Sequence, residues 1–131
     1  MIRKVFVSSL IISAAFYSSP SLAGWERLGE TTAGDTFYVN FETIKKNNGY
    51  VYYWYLIDYL RPNKWNDMSS QTLVEADCNI PQKERTIYAT YHTQPMGNGE
   101  PSTVSPEKRE WSYPSPNTMQ EFKLKIVCDR F

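Results

Sequence analysis

Apolar and polar positions alternate along most of this chain, and the pattern is densest in its middle. From Tyr50 to Leu60 one face reads Tyr50, Tyr52, Trp54, Leu56, Asp58, Leu60, and the other Val51, Tyr53, Tyr55, Ile57, Tyr59. Both faces are apolar or aromatic almost throughout. A strand with one wet face alternates apolar with polar, so this segment predicts a central strand with a layer over each side.

Shorter segments flank it. Trp25-Glu26-Arg27-Leu28 predicts a first strand, and Thr36-Phe37-Tyr38-Val39, after the turn Ala33-Gly34-Asp35, a second. Asn48-Gly49 is the strongest hairpin signal in the chain. Ser69 to Cys78 separates Ser70, Thr72, Val74, Ala76 and Cys78 from Gln71, Leu73, Glu75 and Asp77, which predicts a strand ending at a cysteine. After the turn Asn79-Ile80-Pro81-Gln82, Glu84 to His92 predicts another.

Pro95 to Pro116 breaks the pattern. Its five prolines and two glycines predict irregular structure, with Trp111 and Tyr113 pinning its second half to the body. Beyond it the pattern admits two readings. Asn117 as a cap with Gln120 three residues on fits a helix start, with Met119, Phe122 and Ile126 on one face. Phe122 to Ile126 also alternates like a strand.

The first 23 residues have a different grammar. Arg3 and Lys4 precede a mostly apolar stretch from Val5 to Phe16, and Ser21-x-Ala23 supplies a small-x-small cleavage site. This predicts a secretory signal peptide, residues 1–23, removed before Gly24. The apolar stretch holds 12 residues, well short of the ~20 a membrane-crossing helix needs. With no cysteine near the cleavage point, no lipid anchor is expected. The chain is then exported, to the periplasm or the cell surface, with no membrane insertion once the signal is gone.

Export gives the only two cysteines their meaning. In an oxidising compartment Cys78 and Cys128 most simply form one disulfide, closing a loop of 50 residues. A zinc site would want about four ligands, mostly Cys and His, and the only histidine is His92.

Residues 24–131 make a single domain of 108 residues, with 12 Lys and Arg against 14 Asp and Glu. That balance gives no general attraction for nucleic acid or an anionic membrane. Basic pairs such as Lys45-Lys46, Lys83 with Arg85, Lys108-Arg109 and Lys123 with Lys125 read as solvated surface. The compositional outlier is the aromatic content, 10 Tyr, 6 Phe and 4 Trp. These favour β structure and are also the side chains of protein-binding surfaces.

The order of these segments resembles the surface-adhesin protein E family of exported Gram-negative proteins. The resemblance runs from Trp25 through Gly29 to Phe37-Tyr38-Val39-Asn40 and Thr43-Ile44. It continues through Asn48-Gly49-Tyr50-Val51, Trp54 and Asp58-Tyr59, then Ser69-Ser70 ahead of Asp77-Cys78. Tyr91 before Pro95-Met96-Gly97-Asn98-Gly99, Trp111 before Pro114, and Val127-Cys128 complete it. The family often has Asp where this chain has Asn40, and some members carry a lipid anchor. The resemblance implies an α+β fold: an antiparallel sheet with a C-terminal helix packed on it and tethered by the cysteine pair. It also implies adhesion to host extracellular-matrix or serum proteins.

Catalysis has little to stand on. Nucleophilic chemistry needs a nucleophile beside a base, and the chain offers one histidine, no free cysteine and no Gly-x-Ser-x-Gly elbow. His92 reads as a surface or hydrogen-bonded residue, and Asp58, Glu75 and Asp77 as partners of Arg61, Lys83 or Arg85. Gly97-Asn98-Gly99 reads as a turn. No cofactor and no metal site are expected. A non-catalytic protein-binding domain is the better reading, with Trp65, Trp111 and Tyr113 as candidate contacts and Lys64, Lys108 and Arg109 at the rim. Trp111 also fits a cap on the core edge. An open strand edge that accepts a partner's strand is a second route, and an accessory subunit of a periplasmic envelope complex is the alternative role.

Overall fold

Residues 24–131 are described by the structure, a computed structural model; the expected signal segment lies outside them. Seven strands form one antiparallel sheet: β1 (Trp25–Glu30), β2 (Thr36–Asn40), β3 (Lys45–Asn47), β4 (Tyr50–Asp58), β5 (Ser69–Asp77), β6 (Lys83–His92) and β7 (Thr103–Ser105). Their order is β1-β2-β4-β5-β6-β7, with β3 paired to the first half of β4. The longest apolar pattern therefore does sit at the centre. The hairpin at Asn48-Gly49 places Asn47 opposite Tyr50, and both turn residues have φ near the left-handed region, 53° and 84°. Asn and Gly are the residues that tolerate this conformation, which matches the natural twist of the two strands.

The C-terminal segment is a helix, α1 (Met119–Arg130). Its start differs from the sequence expectation. Asn117 takes a positive φ of 61°, and Thr118 is the cap, accepting from the Glu121 amide at 3.2 Å. Glu121 reaches back to the Asn117 amide at 3.0 Å, so the reciprocal cap runs one residue later than expected. The buried face differs too. Lys123, Leu124 and Val127 face the sheet, while Phe122 is 47% exposed. Of the expected Met119–Phe122–Ile126 stripe only Phe122 is turned out to water, while Met119 and Ile126 are half-buried. The bond from Cys128 to Cys78 ties the end of the helix to the residue that follows β5.

That disulfide joins Cα atoms 5.4 Å apart and 50 residues apart in sequence. In the chain-entropy picture a loop of this length adds roughly 4 kcal/mol. The core lies between α1 and one sheet face: Val39, Val51, Tyr53, Val74 and Ala76 meet Leu124 and Val127, with Leu28, Phe41 and Ile44 at the margin. The helix runs antiparallel to β1, with Met119 beside Gly29 and Arg130 3.9 Å from Glu26.

Among the described residues the other face of β4 has no second layer of regular structure, contrary to expectation. Its Asp58 end is covered by the Pro95–Gly97 turn, and its Tyr50 end by Trp111. The turn is stitched down by Asp58, which accepts from the Met96 amide at 2.8 Å, and by Ser69, whose hydroxyl accepts from the Gly97 amide at 2.8 Å. Asp58 thus holds backbone rather than an arginine. The proline-rich segment also contains β7, a short strand closing the far edge beside Tyr91.

Candidate protein-binding surfaces

Trp65 stands at the tip of the β4–β5 loop and is 68% exposed. The loop beneath it is tied by one side chain. Asn63 Oδ1 accepts from the Trp65 amide at 3.0 Å and from the Asp67 amide at 2.9 Å. The Asn63 amide in turn donates to the Asp67 carbonyl, and the Asn66 amide to the Asn63 carbonyl. Asn63 therefore acts as a local template, the role short polar side chains play in turns. Below the tip Tyr59 and His92 hold Met68 through backbone bonds. The Lys64 ammonium lies 4.4 Å from the centre of the Trp65 ring. Beside the tryptophan is a small pocket lined by Trp65, Asp67, Tyr91 and Thr103.

Trp111, by contrast, is half-buried at the opposite end of the sheet. Its ring meets Tyr50 at 5.4 Å, and the Arg85 guanidinium and Lys83 ammonium lie 4.3 and 5.1 Å from its centre. Lys108 and Arg109 are exposed on the same stretch, which runs along β6 through the Arg109–Thr86 and Ser112–Glu84 backbone bonds. Trp111 caps the core edge. Tyr113 belongs to neither end: exposed, it lines a groove with Ile80, Pro81 and the outer side of α1. The candidate contacts therefore fall into three places. Two of them are separated by the eight residue steps of β4, ~26 Å at ~3.3 Å per residue.

Partners that sequence alone did not mark complete these sites. Tyr91 and Asp67 join Trp65, and Lys83, Arg85 and Tyr50 join Trp111. The Asn63–Asp67 spacing around a tryptophan was the available signal for the first. Nothing in sequence signals the second, because it depends on strand register.

Three carboxylates are spent on structure. Glu75 accepts from Arg85 Nε at 2.6 Å and from the Tyr52 hydroxyl. Burial works to raise its pKa, but these hydrogen bonds and the Arg85 charge outweigh it and hold it below the usual carboxylate value. Glu84 sits inside the protein against Lys123, whose ammonium lies 3.0 Å from Glu84 Oε1. Asp77 caps the following turn through the Asn79 amide. His92 is buried, its Nδ1 donating to the Gly99 carbonyl at 3.2 Å and its Nε2 meeting Thr90 Oγ1 at 2.9 Å. Among the described residues no three His, Cys, Asp or Glu side chains are placed to hold a metal ion, and no helix is long and apolar enough to cross a membrane.

Comparison with known proteins places this architecture. The surface-adhesin protein E family matches residues 25–129. The fold is similar to that of protein E from Haemophilus influenzae, at 16% identity and a TM-score of 0.64, covering 83% of this chain and 90% of that one. No curated protein matches the sequence.

Proposed function

The chain belongs to the surface-adhesin protein E family, and on that premise we propose that it is an exported, non-catalytic domain that binds protein through the Trp65 tip. The targets are host extracellular-matrix or serum proteins, the class the family name points to. The observation that carries this reading is a large aromatic side chain held out in water on a loop whose backbone is fixed by Asn63. Burying a tryptophan requires a partner surface, and a rigid loop loses little freedom on binding. Lys64 supports the ring at the rim. Tyr113 and the Lys108–Arg109 stretch are secondary contacts.

Protease treatment of intact cells, with a periplasmic protein as internal control, tests the location. Digestion while the control survives supports surface display. Protection moves the domain to the periplasm and makes an accessory role in an envelope complex the function. Binding to immobilised matrix and serum proteins tests the activity. Trp65→Ala is expected to weaken it by about 2 kcal/mol, roughly thirty-fold in Kd, without a change in melting. A melting loss of several degrees would mark Trp65 as a folding residue instead.

A further inference from the structure

The pocket beside Trp65 has a chemistry of its own. Its volume is about 230 Å³, below the ~300–1,000 Å³ of sites that enclose whole small molecules. It is the size class for the end of one inserted side chain. Two of its four lining residues, Trp65 and Tyr91, are aromatic. A third, Asp67, is a carboxylate only 3% exposed.

Asp67 makes no ion pair with any described residue. Its Oδ1 accepts from the Ser102 hydroxyl at 2.6 Å, but its Oδ2 has only a long 3.4 Å contact with Asn63 Nδ2. A buried carboxylate held by neutral donors alone keeps acceptor capacity to spare, and a cation brought against it offsets the cost of burying it unpaired. Aromatic faces next to it favour the same sign of ligand, since their quadrupoles attract cations. The Trp65 ring already receives one ammonium, from Lys64, and Lys64 is outside the pocket lining. Thr103 adds a hydroxyl that accepts from a primary ammonium.

We infer that this pocket receives the ammonium end of a lysine side chain presented by the protein partner, between Trp65 and Tyr91 and against Asp67. The inference rests on the protein-binding reading above and supplies the chemistry of its anchor. A primary ammonium is favoured over a quaternary one because two of the four lining residues, Asp67 and Thr103, carry hydrogen-bond acceptors.

The test uses the purified protein and capped lysine (Nα-acetyl-lysine methylamide), with capped norleucine as its uncharged counterpart and choline as a quaternary probe. NMR of the Trp65 indole and the Asp67 and Thr103 amides reads the response. Saturable shifts with capped lysine, at least five-fold weaker with norleucine and choline, support the site. No shift, an equal response to norleucine, or a stronger response to choline overturns it. Asp67→Asn should weaken the lysine response at least ten-fold. Because Asp67 also braces its loop, Tyr91→Leu serves as a second variant with the same expected loss. If capped lysine fails while Trp65→Ala still weakens binding to a matrix or serum protein, the lysine pocket falls and the protein-binding reading stands. If capped lysine binds while no such protein does, the pocket stands and the target class falls.

Discussion

Neighbouring residues Tyr52 and Tyr53 point to opposite faces of β4, and each ends in the same combination: a tyrosine hydroxyl, a glutamate and a basic side chain. On the helix side the Tyr53 hydroxyl donates to Glu84 Oε1 at 2.7 Å. The Lys123 ammonium donates to the Tyr53 oxygen at 2.5 Å and to both Glu84 oxygens at 3.0 and 3.1 Å. All three ammonium protons are thus placed, on a side chain with no solvent exposure. On the open face Tyr52 and Arg85 hold Glu75, with Arg85 partly in water and lying over Trp111. Identical chemistry is therefore used at two depths. The deep version positions the helix and tolerates no missing partner, because a lone buried charge has nowhere to go. The shallow version has water to substitute.

The sharpest way to break the comparison is at Glu84. Glu84→Ala strands the Lys123 charge and should cost about 3–5 kcal/mol in denaturant unfolding. Lys123→Met with Glu84→Gln keeps an acceptor for Tyr53 and removes the charges, and should restore most of that loss. A double variant as unstable as the single would show that the ion pair itself holds the helix. Glu75→Gln on the open face should cost less, about 1–3 kcal/mol by the same measurement. Trp111→Leu should cost least, on the order of 1 kcal/mol, through its lost contacts with Arg85 and Lys83.

Acid and alkali sharpen the same contrast. Glu75 has a lowered pKa, so its contribution is present above about 4.3 and is lost as pH falls through the folded value. Glu75→Gln should flatten that acid arm. Tyr53 is raised well above 10.0, first by burial and then by Glu84, so its contribution is present below 10 and is lost as pH rises through the folded value. Tyr55, pushed up to about 12 by burial, acts in the same direction. Lys123 runs opposite: burial lowers its pKa despite Glu84, and stability is gained as pH rises towards the ordinary lysine value. Tyr53→Phe should therefore delay part of the alkaline loss, read as melting temperature between pH 9 and 11.

Most strands were legible because alternation records burial directly, and Asn48-Gly49 fixed one hairpin. The pattern alone left the last segment open, since Lys123 occupies a core position and interrupts the apolar stripe that would have declared a helix. The family resemblance implied the helix that the structure shows. The partner of Lys123 is 39 residues away on β6, beyond any local pattern. The two loop tryptophans were readable only in outline, Trp65 as an exposed contact and Trp111 as a residue that pins its segment to the body. Trp65 and Trp111 both lie among polar residues and prolines, yet one is held out by Asn63 and the other folds back on Tyr50. The choice is made by loop hydrogen bonding and cross-strand register, and neither leaves a periodic mark.

The depth of Lys123 makes it a built-in chemical reporter. It is the only buried lysine among the described residues, the others being exposed or partly so. Amine-acylating reagents should modify those others quickly and reach Lys123 only when α1 lifts from the sheet. Mass-spectrometric counting of acylation at that one position would then time the opening of the helix, in solution or on the living cell, without a label or a mutation.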